Sequence, residues 1–252
     1  MIDLHSHILP GIDDSCFDIE ETLKMVRDAE LVGIDKIFAT PHFVEGRFQN
    51  YKNDIVGYVD TLNLLLSSSG INVTVFYGSE VKVFPEIVSL LKSNKLCTLN
   101  NSRYILIEFP MNIRIPNICN VINNIIVAGF IPIIAHPERY EYIQRNIKEA
   151  IQYVEFGALL QLNVNSVIGG YGEEARVCAI KLLKHNLIHL WGSDSHNYRS
   201  VYTEQLNKSF ATIEKIIGLN KFKVIVDTNP ECVLNNIEIK TFDIKHKLGL
   251  FS

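Results

Sequence analysis

Two histidines stand near the start of the chain with one residue between them. In Met1-Ile2-Asp3-Leu4-His5-Ser6-His7 an extended backbone puts alternate side chains on one face, about 7 Å apart at Cα, so His5 and His7 can close on one cation. More imidazoles and carboxylates follow in short blocks: Asp13-Asp14, Pro41-His42, Gly78-Ser79-Glu80, Glu108, His136-Pro137-Glu138-Arg139 and Ser193-Asp194-Ser195-His196. Such donors suit Mn²⁺, Fe or Zn²⁺, and the absence of thiolates argues against a structural zinc. A lone histidine such as His42 or His136 is more often a hydrogen-bonded structural residue than a ligand. Repetition of one placement is what favours the metal reading.

That placement is the end of a strand. Seven short runs rich in Ile, Val, Leu and aromatic residues read as strands: Ile2-Leu4, Lys36-Thr40, Val73-Tyr77, Tyr104-Glu108, Ile131-Ala135, Leu159-Asn163 and Leu187-Trp191. Helical patterns fill the gaps. The first is the clearest, with Asp18 as N-cap, Glu21 completing a capping box, Ile19, Leu23, Val26 and Ala29 on one face, and Gly33 ending it. Weaker helical patterns cover Lys52-Ser68, Pro85-Ser93, Asn117-Ala128, Ile147-Phe156, Glu173-His185 and Thr203-Ile217. Near-continuous apolar strands alternating with helices imply an α/β fold around a parallel sheet buried on both faces. Seven such units suggest a closed or nearly closed barrel, with an open doubly wound sheet as the alternative. No Gly-rich phosphate fingerprint follows a strand, which weakens the nucleotide-binding form of that alternative. In a βα barrel the residues just past each strand converge on the carboxyl face. His185, His189 and His246 fall off that face and read as structural, while Glu138 reads equally well as a ligand or as a residue that orients one.

With 252 residues, 47% apolar and 21% charged, the chain can bury a full core as one domain over 1–252. A net charge of −4 without a Lys/Arg stripe argues against nucleic acid as a partner. Cys16, Cys97, Cys119, Cys178 and Cys232 are odd in number, widely spaced and free of Cys-x-x-Cys, so they read as reduced thiols. The N-terminus lacks the pattern of a signal peptide, and the most apolar stretch, Val121 to Ala135, is interrupted by Asn123, Asn124 and Pro132. The expectation is a soluble, cytoplasmic protein with no direct membrane insertion.

One motif competes with the metal reading. Cys97-Thr98-Leu99-Asn100-Asn101-Ser102-Arg103 has the Cys-x5-Arg spacing of thiol-based tyrosine phosphatases. With five cysteines and eight arginines, chance supplies such a spacing in roughly one chain in six of this composition. The segment has no glycine to cradle a phosphate, and Arg103 opens a predicted strand. It reads as a decoy.

The histidine and carboxylate blocks resemble those of the polymerase-and-histidinol-phosphatase (PHP) superfamily, and within it the bacterial tyrosine phosphatases of capsule and exopolysaccharide operons. The match runs through Met1 to Asp14, Thr40-Pro41-His42, Tyr77-Gly78-Ser79-Glu80, Arg103 to Phe109, His136-Pro137-Glu138-Arg139-Tyr140 and Ser193-Asp194-Ser195-His196-Asn197, nearly the whole chain. The resemblance implies a distorted (β/α)7 barrel of the PHP type that holds three divalent metal ions, manganese first, with iron or zinc as alternatives. It implies that His5, His7, Glu80 and Asp194 hold the first ion, that Glu80 bridges to a second completed by Glu108 and His136, and that Asp14, His42 and His196 hold the third. Arg139 would hold substrate phosphate and act in catalysis. The implied substrate is the phosphotyrosine-bearing tail of a membrane-associated bacterial tyrosine kinase that controls polysaccharide export. A small-molecule phosphoesterase acting on a compound such as histidinol phosphate is the alternative. A non-catalytic module regulating a kinase fits poorly, because every expected ligand position is filled. Two positions depart from the family pattern: Ser15 stands where Gly usually follows Asp13-Asp14, and the second phosphate-binding arginine is represented only by Arg199, at a shorter spacing.

Overall fold

The computed structural model describes residues 1–15, 18–197 and 202–246. Among the described residues ten strands carry the fold: β1 (Ile2–Ser6), β2 (Lys36–Ala39), β3 (His42–Val44), β4 (Phe48–Gln49), β5 (Thr74–Tyr77), β6 (Glu80–Lys82), β7 (Tyr104–Glu108), β8 (Ile131–Ala135), β9 (Leu159–Asn163) and β10 (Leu190–Gly192). Around them lie α1 (Ile19–Leu31), α2 (Lys52–Ser68), α3 (Ile87–Lys92), α4 (Ile118–Val127), α5 (Glu141–Arg145), α6 (Lys148–Glu155), α7 (Glu173–Lys184), α8 (Glu204–Ile217), α9 (Leu219–Lys223) and α10 (Asn229–Leu234). All seven expected strands form, the last of them starting later than Leu187. Three short pieces, β3, β4 and β6, were not expected.

Those pieces explain how the barrel is distorted. Parallel pairing runs β1-β2-β5 in one sheet and β10-β9-β8-β7-β6-β3 in the other, where β4 adds antiparallel to β3. The chain leaves β2 at Thr40-Pro41 and re-enters the second sheet as β3; it leaves β5 at Gly78-Ser79 and re-enters as β6. His42 and Glu80, expected in loops, are therefore paired strand residues in register with each other. The ring closes between β1 and β10 by backbone bonds rather than a full ladder: His7 N–H donates to Ser195 O at 2.8 Å and Asp194 N–H to His5 O at 2.8 Å. The result is a distorted (β/α)7 barrel.

Burial follows the period of two that strands impose. Along β7, Tyr104 and Leu106 join a small buried cluster with Phe38, Ile133, Leu159 and Leu190, whereas Ile105 and Ile107 join the large cluster shared with the helices. The small cluster is the barrel interior. The same alternation carries Glu108 of β7 and Gln161 and Asn163 of β9 to the inner face near the strands' carboxyl ends. Helices supply the outer layer: α2 buries Ile55, Val59, Leu62 and Leu66, and α4 buries Ile118, Ile122 and Ile125, both at helical spacing. Asp18 caps α1 by accepting from Glu21 N–H at 2.9 Å, and Gly33 follows in the left-handed region. The buried face of α1 is Thr22, Met25, Val26 and Ala29, one step round from the expected face; Ile19 is 38% exposed. Among the described residues no helix is long and apolar enough to cross a membrane.

Asp3 ties the closure together. Fully buried, it accepts from His5 N–H (3.1 Å), Ser193 N–H (3.0 Å) and the Tyr202 hydroxyl (2.6 Å). Asp3→Ala removes both carboxylate oxygens and with them all three hydrogen bonds, and each stranded donor costs about 1–3 kcal/mol. We expect a loss of at least about 3 kcal/mol in denaturant unfolding of the metal-free protein; a loss under about 1 kcal/mol would show that Asp3 does not hold the closure.

Candidate metal centre

Four ligand atoms from three parts of the chain meet at the carboxyl face. His5 Nε2 lies 3.1 Å from His7 Nε2, 3.3 Å from Glu80 Oε2 and 3.3 Å from Asp194 Oδ1. His7 Nε2 lies 3.4 Å from both carboxylate oxygens. All four residues are buried. A tetrahedron with edges of about 3.3 Å has its centre about 2.0 Å from each corner, the length of a zinc–nitrogen or zinc–carboxylate bond. The spacing thus fits a metal ion. Glu80 Oε2 is also buried with no hydrogen-bond partner, as suits an oxygen reserved for a cation.

Glu80 faces two ways. Its Oε2 turns to His5, His7 and, at 3.0 Å, His42 Nδ1, while Oε1 lies 2.9 Å from His136 Nε2. His136 and Glu108 form a second donor group with it. A third group gathers His42, Asp14 and His196, with His42 Nε2 at 3.4 Å and His196 Nε2 at 3.7 Å from Asp14 Oδ1; it also takes in His7. All nine sequence-derived ligand positions, His5, His7, Asp14, His42, Glu80, Glu108, His136, Asp194 and His196, therefore stand in one continuous cluster.

Local backbone departures aim these side chains. A register shift in β1 between Asp3 and Ser6 interrupts the alternation that has Ile2 and Leu4 inside the barrel, and turns His5 onto the site as β-bulges do. His136 (φ 34°) and Asp194 (φ 54°) both occupy the left-handed region, which non-glycine residues seldom adopt and which clusters at functional sites. Gly192 is required by close approach: a Cβ there would lie 2.5 Å from both His5 Cβ and Gln161 Nε2.

Outer partners fix the ring orientations. His5 Nδ1 pairs with Gln161 Oε1 at 2.9 Å, and His7 Nδ1 with Asp13 Oδ2 at 2.9 Å. Asp13 also accepts from His42 N–H at 2.9 Å, so it orients ligands and is not one of the three donor groups. Asn163 Nδ2 donates to Asp194 Oδ2 at 2.8 Å. Gln161 and Asn163 were missed from sequence. Their signal was there: polar residues at alternate positions of the run that forms β9. Ser15 closes the loop by donating to Leu9 O at 2.6 Å.

Charge is balanced within the cluster. Burial depresses the His5 and His7 imidazoles, but the facing carboxylates outweigh it, raising His5 and lifting His7 well above the ordinary 6.5. Burial likewise opposes ionisation of Glu80 and Asp194, yet the surrounding imidazoles hold both below the usual carboxylate range. Glu108 goes the other way, raised by burial and by the charge of Glu80.

Arg139 stands at the edge of the cluster, donating from Nη1 to Asp194 Oδ2 at 2.7 Å with its guanidinium carbon 4.5 Å from the centre of the Tyr171 ring. Its neighbour Glu138 belongs to none of the donor groups. It accepts from Asn163 N–H (3.1 Å) and the Ser166 hydroxyl (2.7 Å), so of its two readings the orienting one fits. Arg199 lies outside the described residues. Cys97 is buried, its thiol pushed up to about 12 by burial, and Arg103 enters β7 from the opposite end of the barrel. His189 is buried beside β10 and held at about 4 by burial, with Leu160 N–H donating to its Nδ1, a structural histidine as expected.

Residues 1–235 match the family model for capsular polysaccharide synthesis, CpsB/CapC. The chain belongs to the CpsB/CapC family. Among its relatives, the tyrosine-protein phosphatase YwqE of Bacillus subtilis (strain 168) is 34% identical over 239 residues, covering 94% of this chain and 92% of YwqE. The tyrosine-protein phosphatase CpsB of Streptococcus pneumoniae is 29% identical over 241 residues, covering 93% and 98%. A chain from the crystal structures of YwqE and CpsB, described as unique metal-dependent tyrosine phosphatases, superposes with a TM-score of 0.92 at 32% identity over 97% of this chain and 98% of that one. A zinc-bound histidinol phosphate phosphatase from Lactococcus lactis shares the fold at TM-score 0.56 and 13% identity, over 86% and 94%.

The raised imidazoles make metal uptake by this CpsB/CapC member proton-linked. Without an ion, the facing carboxylates favour the protonated forms of His5 and His7, and a cation must displace those protons. Affinity for Mn²⁺ should tighten as pH rises from about 6 to 8, and weaken on acidification, with proton release seen as a buffer-dependent enthalpy in titration calorimetry. A pH-independent affinity over that range would contradict the charge balance described above.

Proposed function

We propose that this protein is a metal-dependent protein-tyrosine phosphatase of capsular or exopolysaccharide synthesis, acting on the phosphotyrosine-bearing tail of a bacterial tyrosine kinase. The observation that carries this reading is Glu80, one buried carboxylate with an oxygen toward each of two adjacent donor groups, set beside a guanidinium. Kinship with YwqE and CpsB, both named tyrosine phosphatases, supports the substrate. We assign His5, His7, Glu80 and Asp194 to one ion, Glu80, Glu108 and His136 to a second, and Asp14, His42 and His196 to a third, with manganese preferred over iron or zinc. We assign the chain to the cytoplasm as one PHP-type domain; Cys97, Cys119, Cys178 and Cys232 are unpaired, as suits a reducing compartment.

Ions bound in such groups polarise phosphoryl oxygens and lower the pKa of bound water towards about 7. The chain's own residues do the rest. Gln161 and Asp13 hold the His5 and His7 rings in the tautomer and orientation that present Nε2 inward. Arg139 engages Asp194 through Nη1, and the other donors of its fork suit phosphoryl oxygens whose charge grows during transfer. A tyrosyl leaving group, with a pKa near 10, needs less proton assistance than an alkyl alcohol. No thiol takes part.

Chelation should abolish turnover, and His5→Ala, His136→Ala and Asp194→Ala should each lose orders of magnitude in rate while remaining folded. Full activity after metal removal verified by elemental analysis would overturn the reading. Arg139→Ala should lower kcat as well as kcat/KM by roughly 10²-fold or more, with poor rescue by Arg139→Lys, which keeps the charge and loses the fork. Cys97→Ser should stay within a few-fold of wild type, and a trapped phosphocysteine at Cys97 would reverse that conclusion. Steady-state assays of the manganese-loaded enzyme on phosphotyrosine peptides and histidinol phosphate decide the substrate: a clear preference for histidinol phosphate favours the small-molecule phosphoesterase alternative.

A further inference from the structure

A groove of about 710 Å³ lies between α5 and α7, lined by residues including Tyr171, Glu141, Gln144, Arg145, Glu174 and Val177. Tyr171 lines this groove and also stands beside Arg139, its ring centre 4.5 Å from the guanidinium carbon. It is 36% exposed and sits just before Gly172, whose φ of 93° turns the chain into α7. We propose that this groove, entered across Tyr171, seats the polypeptide flanking the phosphotyrosine and prefers a basic residue there. The inference rests on the tyrosine-phosphatase reading above and adds where its substrate chain runs.

Three observations point to this occupant. Tyr171 both packs against the Arg139 guanidinium and lines the groove, so a substrate chain that leaves a phosphoryl group at Arg139 across that ring enters the groove. Its volume lies within the range of roughly 300–1,000 Å³ usual for ligand sites, more than a small phosphoester bound at Arg139 would use. Charge favours a cation: Arg145 is paired with Glu141 at 2.6 Å and Glu173 with Arg176 at 2.6 Å. Among the described residues no ion pair engages Glu174, in the first turn of α7. The lining is therefore left with one uncompensated carboxylate.

The test compares the manganese-loaded full chain, wild type, Val177→Trp and Glu174→Gln, on p-nitrophenyl phosphate and on phosphotyrosine peptides flanked by lysine or by glutamate. Val177 is 37% exposed, so an indole there can fill the groove without entering the core. Val177→Trp should lower the ratio of kcat/KM for the lysine-flanked peptide to that for p-nitrophenyl phosphate at least tenfold, through KM. Wild type should prefer the lysine-flanked peptide by about two- to fivefold, the scale of one exposed ion pair, and Glu174→Gln should abolish that preference. An unchanged ratio in a Val177→Trp protein of native circular dichroism overturns the groove. Loss of the ratio without any flank preference in wild type overturns the basic selectivity. If wild type cleaves histidinol phosphate and neither peptide, the phosphatase reading fails and the groove assignment fails with it.

Discussion

Two carboxylates, Glu80 and Asp194, are buried almost completely in the mouth of the barrel, and everything around them answers the cost of doing so. An isolated buried carboxylate costs several kcal/mol even after relaxation, so cationic partners must lie close. His5, His7, His42 and His136 supply imidazole nitrogens 2.9–3.4 Å from the oxygens of Glu80 and Asp194. In the metal-free protein that charge favours the protonated forms of His5, His7 and His42; the same atoms are positioned to coordinate a metal. Either way the cluster requires positive charge at its centre. This constraint also explains the backbone left in unfavourable regions at His136 and Asp194, each costing of order 1–3 kcal/mol and held there by the surrounding barrel.

Asp194 links the metal cluster to recognition of phosphate. Its Oδ1 faces His5 and His7, while its Oδ2 accepts from Arg139 and from Asn163. Arg139 is thus oriented by the same carboxylate that helps to form the first donor group, and on another side by Tyr171. Glu138, one residue away, is directed to the turn after β9, so it positions Asn163 and through it Asp194. Loss of any one member should disturb its neighbours, and pairwise additivity is not expected within so tight a network.

Much of this was legible in the sequence because a βα barrel converts position along the chain into position in space. Strand ends converge, so histidines and carboxylates at strand ends had to meet, and His5, His7, His42, Glu80, Glu108, His136 and Asp194 do. The Cys97 and Arg103 spacing could be dismissed by the same rule, since Arg103 precedes its strand rather than following it. What escaped was polar residues embedded in strands. Gln161 and Asn163 lie inside a run that was read only as an apolar strand, and alternation carries them to the interior face beneath the donor groups. The shift of the α1 face to Thr22 and Met25 escaped for a related reason: which side of a helix is buried depends on the layer it meets.

The sequence by itself determined the alternation of strands and helices, seven of the ten strands and the identity of the donor atoms, because hydrophobic period and side-chain chemistry are local properties. Only the tertiary structure decided how those donors are divided. That His42 and Glu80 lie on re-entrant strands, that a register shift turns His5 inward, and that Glu80 presents one oxygen to each of two groups all follow from how non-adjacent strands pair and where their pairing breaks. Those outcomes depend on long-range hydrogen bonds and close approach, such as His5 against Gly192, which no local pattern encodes.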